Sequence, residues 1–239
     1  MMFLAALFVV AVLSGATASL VGFGIGSLLT PLLVLKVGTD LAVAAVALPH
    51  AVATALRCWR LRREIDWQVL KGFGLLSAVG GLSGAFLYSQ LDAGVLQRVL
   101  GGLLVLTAAA QLAGLAARWH PRGPAVGVVG FVSGFFGGIA GNQGGLRAAA
   151  LTAFRLSPLA FVATSTATGL LVDAARTPVY LYTAGTALQS LWLPISVATA
   201  GVLIGTMLGE RILLGMRRDH FARLVALAVG VLGLWLLLF

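Results

Sequence analysis

Apolar segments separated by short polar stretches follow one another along the whole chain. These segments lie at residues 2–36, 39–57, 69–90, 95–117, 125–156, 158–181, 188–209 and 221–239. A helix needs about 20 mainly apolar residues to cross a bilayer, and most of the segments have that length. The two longest, 2–36 and 125–156, are too long for a single crossing. The pattern predicts an all-α polytopic membrane protein.

Glycine clusters interrupt the two longest segments near their centres. The first contains GFGIGS at 22–27, and the second contains GIAGNQGG at 138–145. Irregular backbone is tolerated at membrane depth only where protein or a water-filled cavity surrounds it. We therefore predict that each of these segments is a re-entrant helical hairpin, in which two shorter helices meet at a glycine-rich turn.

The two halves of the chain match each other weakly but in register. Placing Gly26 on Gly144 aligns the two glycine clusters without a gap, and GGLSG at 80–84 later matches GTMLG at 205–209. Glycines spaced in this way let two helices approach closely. We predict two repeats of one template, each a hairpin followed by three spans. The first repeat is 1–120, with hairpin 2–36 and spans 39–57, 69–90 and 95–117, and the second is 121–239, with hairpin 125–156 and spans 158–181, 188–209 and 221–239.

The basic residues of the loops predict how the repeats are oriented. If every segment crosses the membrane, these charges divide almost evenly between the two sides. If both glycine-broken segments return to the side on which they began, only Lys36 and Arg98 lie on one side, and the other loop cations, Arg57 among them, lie opposite. Such a bias marks the cytoplasmic side. Each half then has an odd number of crossings, so we predict inverted repeats with both termini outside.

Composition and charge exclude several classes of function. The chain is 60% hydrophobic and 10% charged, which does not fit an ordinary soluble domain. The net charge of +9 comes from short loops between spans, so we expect orientation signals and no nucleic-acid partner. Cys58 is the single cysteine, which excludes an internal disulfide. The sequence has no paired carboxylates, metal-ligand pattern or phosphate-binding loop, so we expect no catalytic residues, no metal and no other cofactor.

The glycine clusters also predict an anion site. A hairpin helix that begins near the midplane directs unpaired N–H groups and partial positive charge at the turn, and glycine lets an anion approach the backbone. Two such helix ends across inverted repeats suit a small anion. The alternatives are that the glycines only permit tight helix packing and that the two amides cap a helix. The candidate substrate-binding residues at the turns are Gly24, Gly26, Ser27, Asn142, Gln143, Gly144 and Gly145.

Polar side chains inside the predicted spans add further substrate-binding candidates. Arg147 lies just inside the second helix of the second hairpin, and its planar fork can bind an oxyanion. The alternative is that it extends to a membrane interface. The run VATSTATG offers the hydroxyls of Thr164, Ser165 and Thr168, which either face a cavity or bond back to their own helix.

Ionisable residues also lie within the spans 39–57 and 158–181. His50 follows a proline in mid-span and is a candidate for proton coupling, with a packed neutral histidine as the alternative. Asp173 and Arg176 are three positions apart, so they can pair on one helix face. We interpret that pair as structural.

At these residues the sequence resembles the TauE/SafE family of sulfite exporter-like permeases, also called TSUP. The resemblance covers essentially the whole chain, and EIDWQ at 64–68 looks like the first cytoplasmic linker of the family. The glycine-rich pattern that occurs once per half is carried here by Gly22, Gly24, Gly26 and Pro31, and then by Gly137, Gly138, Gly141, Gly144, Gly145 and Arg147.

The resemblance implies a secondary transporter in a bacterial plasma (inner) membrane. Its substrates would be small sulfur-containing anions such as sulfite, thiosulfate, sulfoacetate or another organosulfonate, bound near the midplane between the two helix ends. A passive anion channel and a non-transporting membrane scaffold subunit stay open as alternatives. The expected partners are the anion and membrane lipid, and a homodimer is a further open case.

Overall fold

The computed structural model describes residues 1–21, 24–114, 123–141, 144–151, 154, 156–212 and 218–238. All regular secondary structure in these ranges is helical. A 3₁₀ turn at Arg62–Glu64 precedes α4, and a π-helical turn at Leu70–Gly74 follows it. The α-helices are α1 (Met2–Val21), α2 (Ile25–Val37), α3 (Thr39–Leu61), α4 (Trp67–Val69), α5 (Leu75–Tyr88), α6 (Ala93–Leu112), α7 (Pro124–Ala140), α8 (Gly144–Leu151), α9 (Pro158–Ser190), α10 (Trp192–Ile212) and α11 (Arg218–Leu238).

Length and hydropathy identify the helices that can cross a membrane. Helices α2 and α7 and the Ala226–Leu238 part of α11 are apolar but shorter than a full span. The prediction of a polytopic all-α membrane protein is confirmed. The re-entrant path of the two hairpins stays a prediction, since α1 alone is long enough to cross. The described residues contain six sufficiently long stretches: Met2–Ser19, Thr39–Glu64, Trp67–Tyr88, Ala93–Leu112, Pro158–Ser190 and Trp192–Gly209.

Both glycine clusters break the helix, as predicted. The breaks separate α1 from α2 and α7 from α8. Gly24, at the start of α2, has φ 134°, and Gly141, at the end of α7, has φ 69°. Residues with a Cβ rarely adopt such values, because the side chain would meet the backbone. These two glycines therefore allow backbone conformations at the breaks that other residues rarely adopt.

Two helices extend beyond their predicted ends. Helix α9 continues to Ser190, well past the predicted end at 181, because YTAGTALQS at 182–190 has no proline and includes good helix formers. Helix α3 continues to Leu61, past the predicted end at 57. The second extension has a consequence for the site, because it places Arg57 within a helix instead of in a loop.

Close glycine contacts join α1 to α10 and α5 to α7. A Cβ built on Gly205 would lie 1.9 Å from the carbonyl oxygen of Val12, and a Cβ on Gly84 would lie 2.1 Å from that of Phe135. Gly80 has a matching contact one turn earlier. The predicted close approach through these glycine pairs is confirmed. Contacts advance in the same direction along both helices, so each of these two pairs runs parallel.

The third helices of the two halves, α3 and α9, run antiparallel. His50 on α3 contacts Asp173 well inside α9, whereas Asp66, beyond the end of α3, contacts Thr164 near the start of α9. The glycine contacts between α6 and α11 run in opposite directions in the same way. The contact surface between α3 and α9 contains the buried polar residues described next.

Candidate functional site: a buried polar strip between two helices

A strip of buried polar side chains lies between α3 and α9. On α3, His50, Thr54 and Arg57 share one face because they follow one another at four and three residues, and each is at most 7% exposed. On α9, Asp173 and Arg176 are at most 1% exposed. Ionisable side chains within membrane spans are costly and usually functional. This strip is therefore the strongest candidate for a functional site.

Asp173 connects His50 to Arg176. Asp173 Oδ2 lies 2.6 Å from His50 Nδ1, while Oδ1 accepts bonds from Arg176 Nε at 3.1 Å and Nη2 at 2.9 Å. The predicted pair on α9 is confirmed, but the contact with His50 was not foreseen. Because an ionised carboxylate can only accept, His50 donates through Nδ1. In the neutral ring, Nε2 is then the nitrogen that can take up a proton.

Arg176 and Tyr180 also hold the end of α7. Arg176 Nη1 donates to the carbonyl oxygen of Gly137, and the Tyr180 hydroxyl donates to that of Gly138. The last carbonyls of a helix have no partner within the helix, so side chains commonly supply one. Arg176 thus serves both its ion pair and the second glycine break, which agrees with a structural role.

Arg147 reaches the strip from α8. Its Nε donates to Ser165 Oγ at 3.0 Å, and a Cβ built on Gly169 would lie only 2.9 Å from its Nη1. Arg147 is 2% exposed, so its side chain is buried against α9 instead of extending to an interface. Gly169 precedes Asp173 by one turn on the same helix face. The structure thus brings Arg147 and Ser165 together beside the strip.

The other hydroxyls of the polar run have different surroundings. Thr164 Oγ1 accepts a bond from the Asp66 backbone N–H at 2.9 Å, which fastens the linker after α3 to α9. Thr168 is fully buried, and its Oγ1 has no hydrogen-bond partner among the described residues. A buried hydroxyl without a partner is costly. Thr168 therefore has a hydroxyl that a ligand could satisfy.

The two glycine breaks meet at a separate small cavity. Gly24 and Ser27 of the first hairpin and Gly145 of the second line it, together with residues of α6 and α11. Its volume is about 20 Å³, which is room for one water molecule. Gly145 and Arg147 are two positions apart in α8 and so point to nearly opposite sides of it. Arg147 is not among the residues that line this cavity.

The structure describes two of the four remaining turn residues. Gly26 lies in the first turn of α2, Gly144 is the first residue of α8, and both are buried. Asn142 and Gln143 lie outside the described residues. Their predicted role at the second turn stays a prediction.

Arg57 was not foreseen as a site residue, and counting it among the loop charges was wrong. Helix α3 continues past it to Leu61, and its side chain is 4% exposed. Its Nε and Nη1 have no hydrogen-bond partner in the part of the chain that the structure describes. The available signal was its spacing, because two helical turns separate it from His50 on the same face.

Guanidinium groups outnumber carboxylates among the described buried side chains of this region. Among the described side chains, the buried guanidinium groups are those of Arg57, Arg147 and Arg176, and the buried carboxylate is that of Asp173. Three guanidinium groups thus stand against one carboxylate within this set. Buried positive charge in a low-dielectric interior is costly, and a bound anion would offset part of that cost. The described residues contain no cluster of histidine, cysteine and acids suited to a metal ion.

A family model covers nearly the whole chain. The model described as Sulfite exporter TauE/SafE matches residues 7–236. The chain belongs to the TauE/SafE family. No curated protein and no solved structure matches the chain. The resemblance inferred from the glycine clusters is thus confirmed, and this TauE/SafE protein is a multi-pass membrane permease with six helices of spanning length among its described residues.

Membership of TauE/SafE also bears on what the buried strip does. The family is one of sulfite exporter-like transporters, which favours transport over catalysis. The strip between α3 and α9 contains the buried arginines Arg57 and Arg176.

Proposed function

We propose that this TauE/SafE protein is a secondary transporter of small sulfur-containing anions in a bacterial plasma membrane. The proposed substrates are sulfite, thiosulfate, sulfoacetate and other organosulfonates. One observation carries the proposal: guanidinium groups outnumber carboxylates among the buried, described side chains around α3, α8 and α9. The several oxygens of a sulfur oxyanion match the planar donor fork of arginine.

Arg147 is the proposed main contact for the substrate. Its bond to Ser165 fixes the orientation of the guanidinium, and the unpartnered hydroxyl of Thr168 lies on the next turn of α9. We propose that the backbone N–H groups of the two hairpin turns complete the binding site in another conformation of the transport cycle. This requires the cavity between Gly24 and Gly145 to open, because it has room for only one water molecule here.

The proposed path uses two inverted repeats with both termini outside. The antiparallel pairs α3–α9 and α6–α11 support the inversion of the repeats, since each joins equivalent helices of the two halves. The parallel pairs fit the same symmetry. Helix α1 corresponds to α7 and α10 corresponds to α5, so swapping the two halves turns the pair α1–α10 into the pair α5–α7. Inverted repeats allow alternating access by rocking one part of the protein against the other.

A flux assay in proteoliposomes tests the function. We expect saturable uptake of thiosulfate and other sulfur oxyanions, with accumulation that depends on an imposed gradient. Arg147→Ala should weaken apparent affinity about 100-fold, because removing one partner of a buried charge pair is strongly unfavourable. Arg147→Lys should recover only part of this, since it keeps the charge but loses the fork. The matched control is Arg60→Ala, which removes an exposed arginine from α3.

The possible results separate the alternatives. Purely downhill, non-saturating flux would indicate a passive anion channel. A correctly inserted protein that carries none of the anions would indicate a non-transporting scaffold. Parent-like affinity in Arg147→Ala would remove that residue from the site.

His50 is the proposed proton-coupling residue. Asp173 holds its Nδ1 at 2.6 Å, which leaves Nε2 to take up a proton and stabilises the resulting imidazolium beside a carboxylate. We expect His50→Gln to abolish proton-driven accumulation while downhill exchange continues, as measured with and without a proton gradient. Unchanged accumulation in this variant would reduce His50 to a packing residue.

A further inference from the structure

We propose that Arg176 and Tyr180 link the protonation of His50 to the second glycine break. A proton on His50 loosens the hold of these two side chains on the end of α7, where that break begins. The inference rests on the proposed function, because it takes His50 as the proton-coupling residue. It adds two positioning residues through which the proton acts, and it gives the break a part in coupling in addition to its proposed part in binding.

Hydrogen bonds connect His50 to the end of α7 in a continuous chain. His50 Nδ1 lies 2.6 Å from Asp173 Oδ2, and the other oxygen of that carboxylate accepts from Arg176 Nε at 3.1 Å and Nη2 at 2.9 Å. The third nitrogen of the guanidinium, Nη1, donates to the carbonyl oxygen of Gly137. One carboxylate and one guanidinium thus join the imidazole to the backbone of α7.

The carbonyl that Arg176 holds belongs to the last turn of α7. The oxygen of Gly137 also accepts the backbone N–H of Gly141 at 3.0 Å, which closes this turn. The Tyr180 hydroxyl donates to the next carbonyl, that of Gly138. Gly141 has φ 69°, and a Cβ built on it would lie 3.7 Å from Arg176 Nη1. The guanidinium therefore lies beside the residue at which the helix ends.

Packing holds the two proposed positioning residues together. Tyr180 follows Arg176 by four positions, so both lie on one face of α9. The Arg176 Cζ lies 5.8 Å from the centre of the Tyr180 ring, within the range of a cation–π contact. Tyr88 of α5 packs edge-on against the same ring, with 4.8 Å between the ring centres. Both positioning residues are at most 1% exposed, so a displacement of the guanidinium also disturbs the ring.

Protonation of His50 changes the electrostatics around Asp173. Among the described residues, the charged side chains that interact with His50 are Asp173, Arg176 and Arg147. Thr54 Oγ1, at 3.3 Å from His50 Nδ1, carries no charge. When the imidazole is neutral, Asp173 forms its ion pair with Arg176. An imidazolium is a second cation on the same carboxylate and repels the guanidinium, which weakens the pair that orients Arg176.

A coupling of this kind works in both directions. If a proton on His50 loosens the end of α7, then loosening that end makes proton uptake by His50 more favourable. Replacing Tyr180 by phenylalanine loosens the end directly, because the carbonyl of Gly138 loses the hydroxyl that bonds to it. This change should therefore shift the pH at which His50 acts. A tyrosine with a purely structural role would affect stability and leave that pH unchanged.

Hydrogen–deuterium exchange on the purified full-length protein tests the link without relying on transport. The measurement is the protection of amides at the end of α7, Gly141 among them, corrected for the intrinsic pH dependence of exchange. The pH range is about 5 to 8, in which histidine ordinarily titrates. We expect protection in the parent to fall at least about fivefold toward the acid end, a usual size for coupling between sites. In His50→Gln it should not change with pH.

Three tyrosine variants separate the link from ordinary packing. Tyr180→Phe should move the midpoint of the protection change to higher pH by about half a unit to one unit, the size expected from one hydrogen bond. Tyr182→Phe is the matched control, because it lies on the same helix and is 92% exposed. Tyr88→Phe also removes a buried tyrosine hydrogen bond, but that bond goes to the Asp40 carbonyl at the start of α3. Both controls should keep the midpoint of the parent.

Failure of the inference can be told apart from failure of the proposed function. Protection that stays constant or rises toward acid overturns the inference, and the function stands if the same protein accumulates anions with a proton gradient. A change that persists in His50→Gln also overturns the inference, because another group would then be titrating. So does a Tyr180→Phe midpoint equal to that of the parent or of Tyr88→Phe. If protection changes as expected but no sulfur oxyanion is carried, the function is wrong and the link stands.

Discussion

A glycine positions the charged group of the candidate site. The guanidinium of Arg147 rests against α9 at Gly169, where a Cβ would lie 2.9 Å from Nη1 and 3.4 Å from Cζ. Any larger residue would push the guanidinium away from Ser165, its hydrogen-bond partner. Because an arginine binds an oxyanion through a planar fork, a small displacement changes how well both bonds can form.

Gly169→Ala should therefore weaken anion binding without unfolding the protein. A displacement of about 1 Å in a positioned group can cost up to about 100-fold, and we expect about tenfold here because the arginine tip can partly adjust. The measurement is the dissociation constant for thiosulfate. Gly185→Ala is the matched control, because it lies on the same helix and a Cβ there meets nothing within 4 Å. Equal affinities in the two variants would show that the position of Arg147 is not tuned by Gly169.

Helix pairs depend on glycine in a different way, through backbone contact. A Cβ on Gly134 of α7 would lie 1.8 Å from the carbonyl oxygen of Ser77 on α5, and a Cβ on Gly205 of α10 would lie 1.9 Å from that of Val12 on α1. Backbone atoms cannot move aside as a flexible side chain can. The two helices would have to separate along their contact, which loses packing over several turns.

Gly134→Ala should destabilise the protein by about 1–3 kcal/mol or more, the usual cost of overpacking a close contact. Gly102→Ala is the control, because a Cβ at that position of α6 meets nothing within 4 Å. The control should be neutral or stabilising by up to about 1 kcal/mol, since alanine favours helix over glycine. Thermal unfolding in detergent measures both, and equal stability of Gly134→Ala and Gly102→Ala would contradict the contact.

The sequence predicts a structural feature well when the residues that define it are neighbours in the chain. The glycine breaks were predictable because Gly24 and Gly141 stand in clusters within apolar segments, where few other structures fit. The true end of α3 was not predictable, because hydropathy alone assigns the charged residues after 57 to a loop. The contact between His50 and Asp173 joins distant parts of the chain, and no local pattern reports such a contact.

At the scale of the whole molecule, helix directions constrain the topology more than helix lengths do. The contacts of α1 with α10 extend from Phe8, near Gly201, to Ala16, near Gly209. Helix α1 thus runs parallel to α10 through a similar depth, although α2 is much shorter. The first arm of that hairpin is therefore longer than a half-helix, and the loop charges are needed to decide which side the N-terminus occupies.

Cysteine labelling in intact cells tests the proposed orientation. In a Cys58→Ser background, a membrane-impermeant maleimide should label Met2→Cys and Gln90→Cys from outside, and should label Glu64→Cys only after permeabilisation. All three positions are exposed in the structure. The substitution at position 90 leaves Asp92, which caps the start of α6, unchanged. The expectation follows from the basic residues around position 64, which favour the cytoplasm, and from the Trp67–Tyr88 span that separates it from position 90.

Each departure from that labelling pattern has its own meaning. Labelling of Glu64→Cys from outside, with protection of the other two, would reverse the orientation but keep the repeats inverted. Labelling of 64 and 90 from the same side would mean that the segment between them does not cross, which removes the odd number of crossings per half and with it the inversion. Labelling of 90 but not of 2 from outside would mean that α1 and α2 together cross the membrane once. The first hairpin would then not be re-entrant, because its two ends would lie on opposite sides.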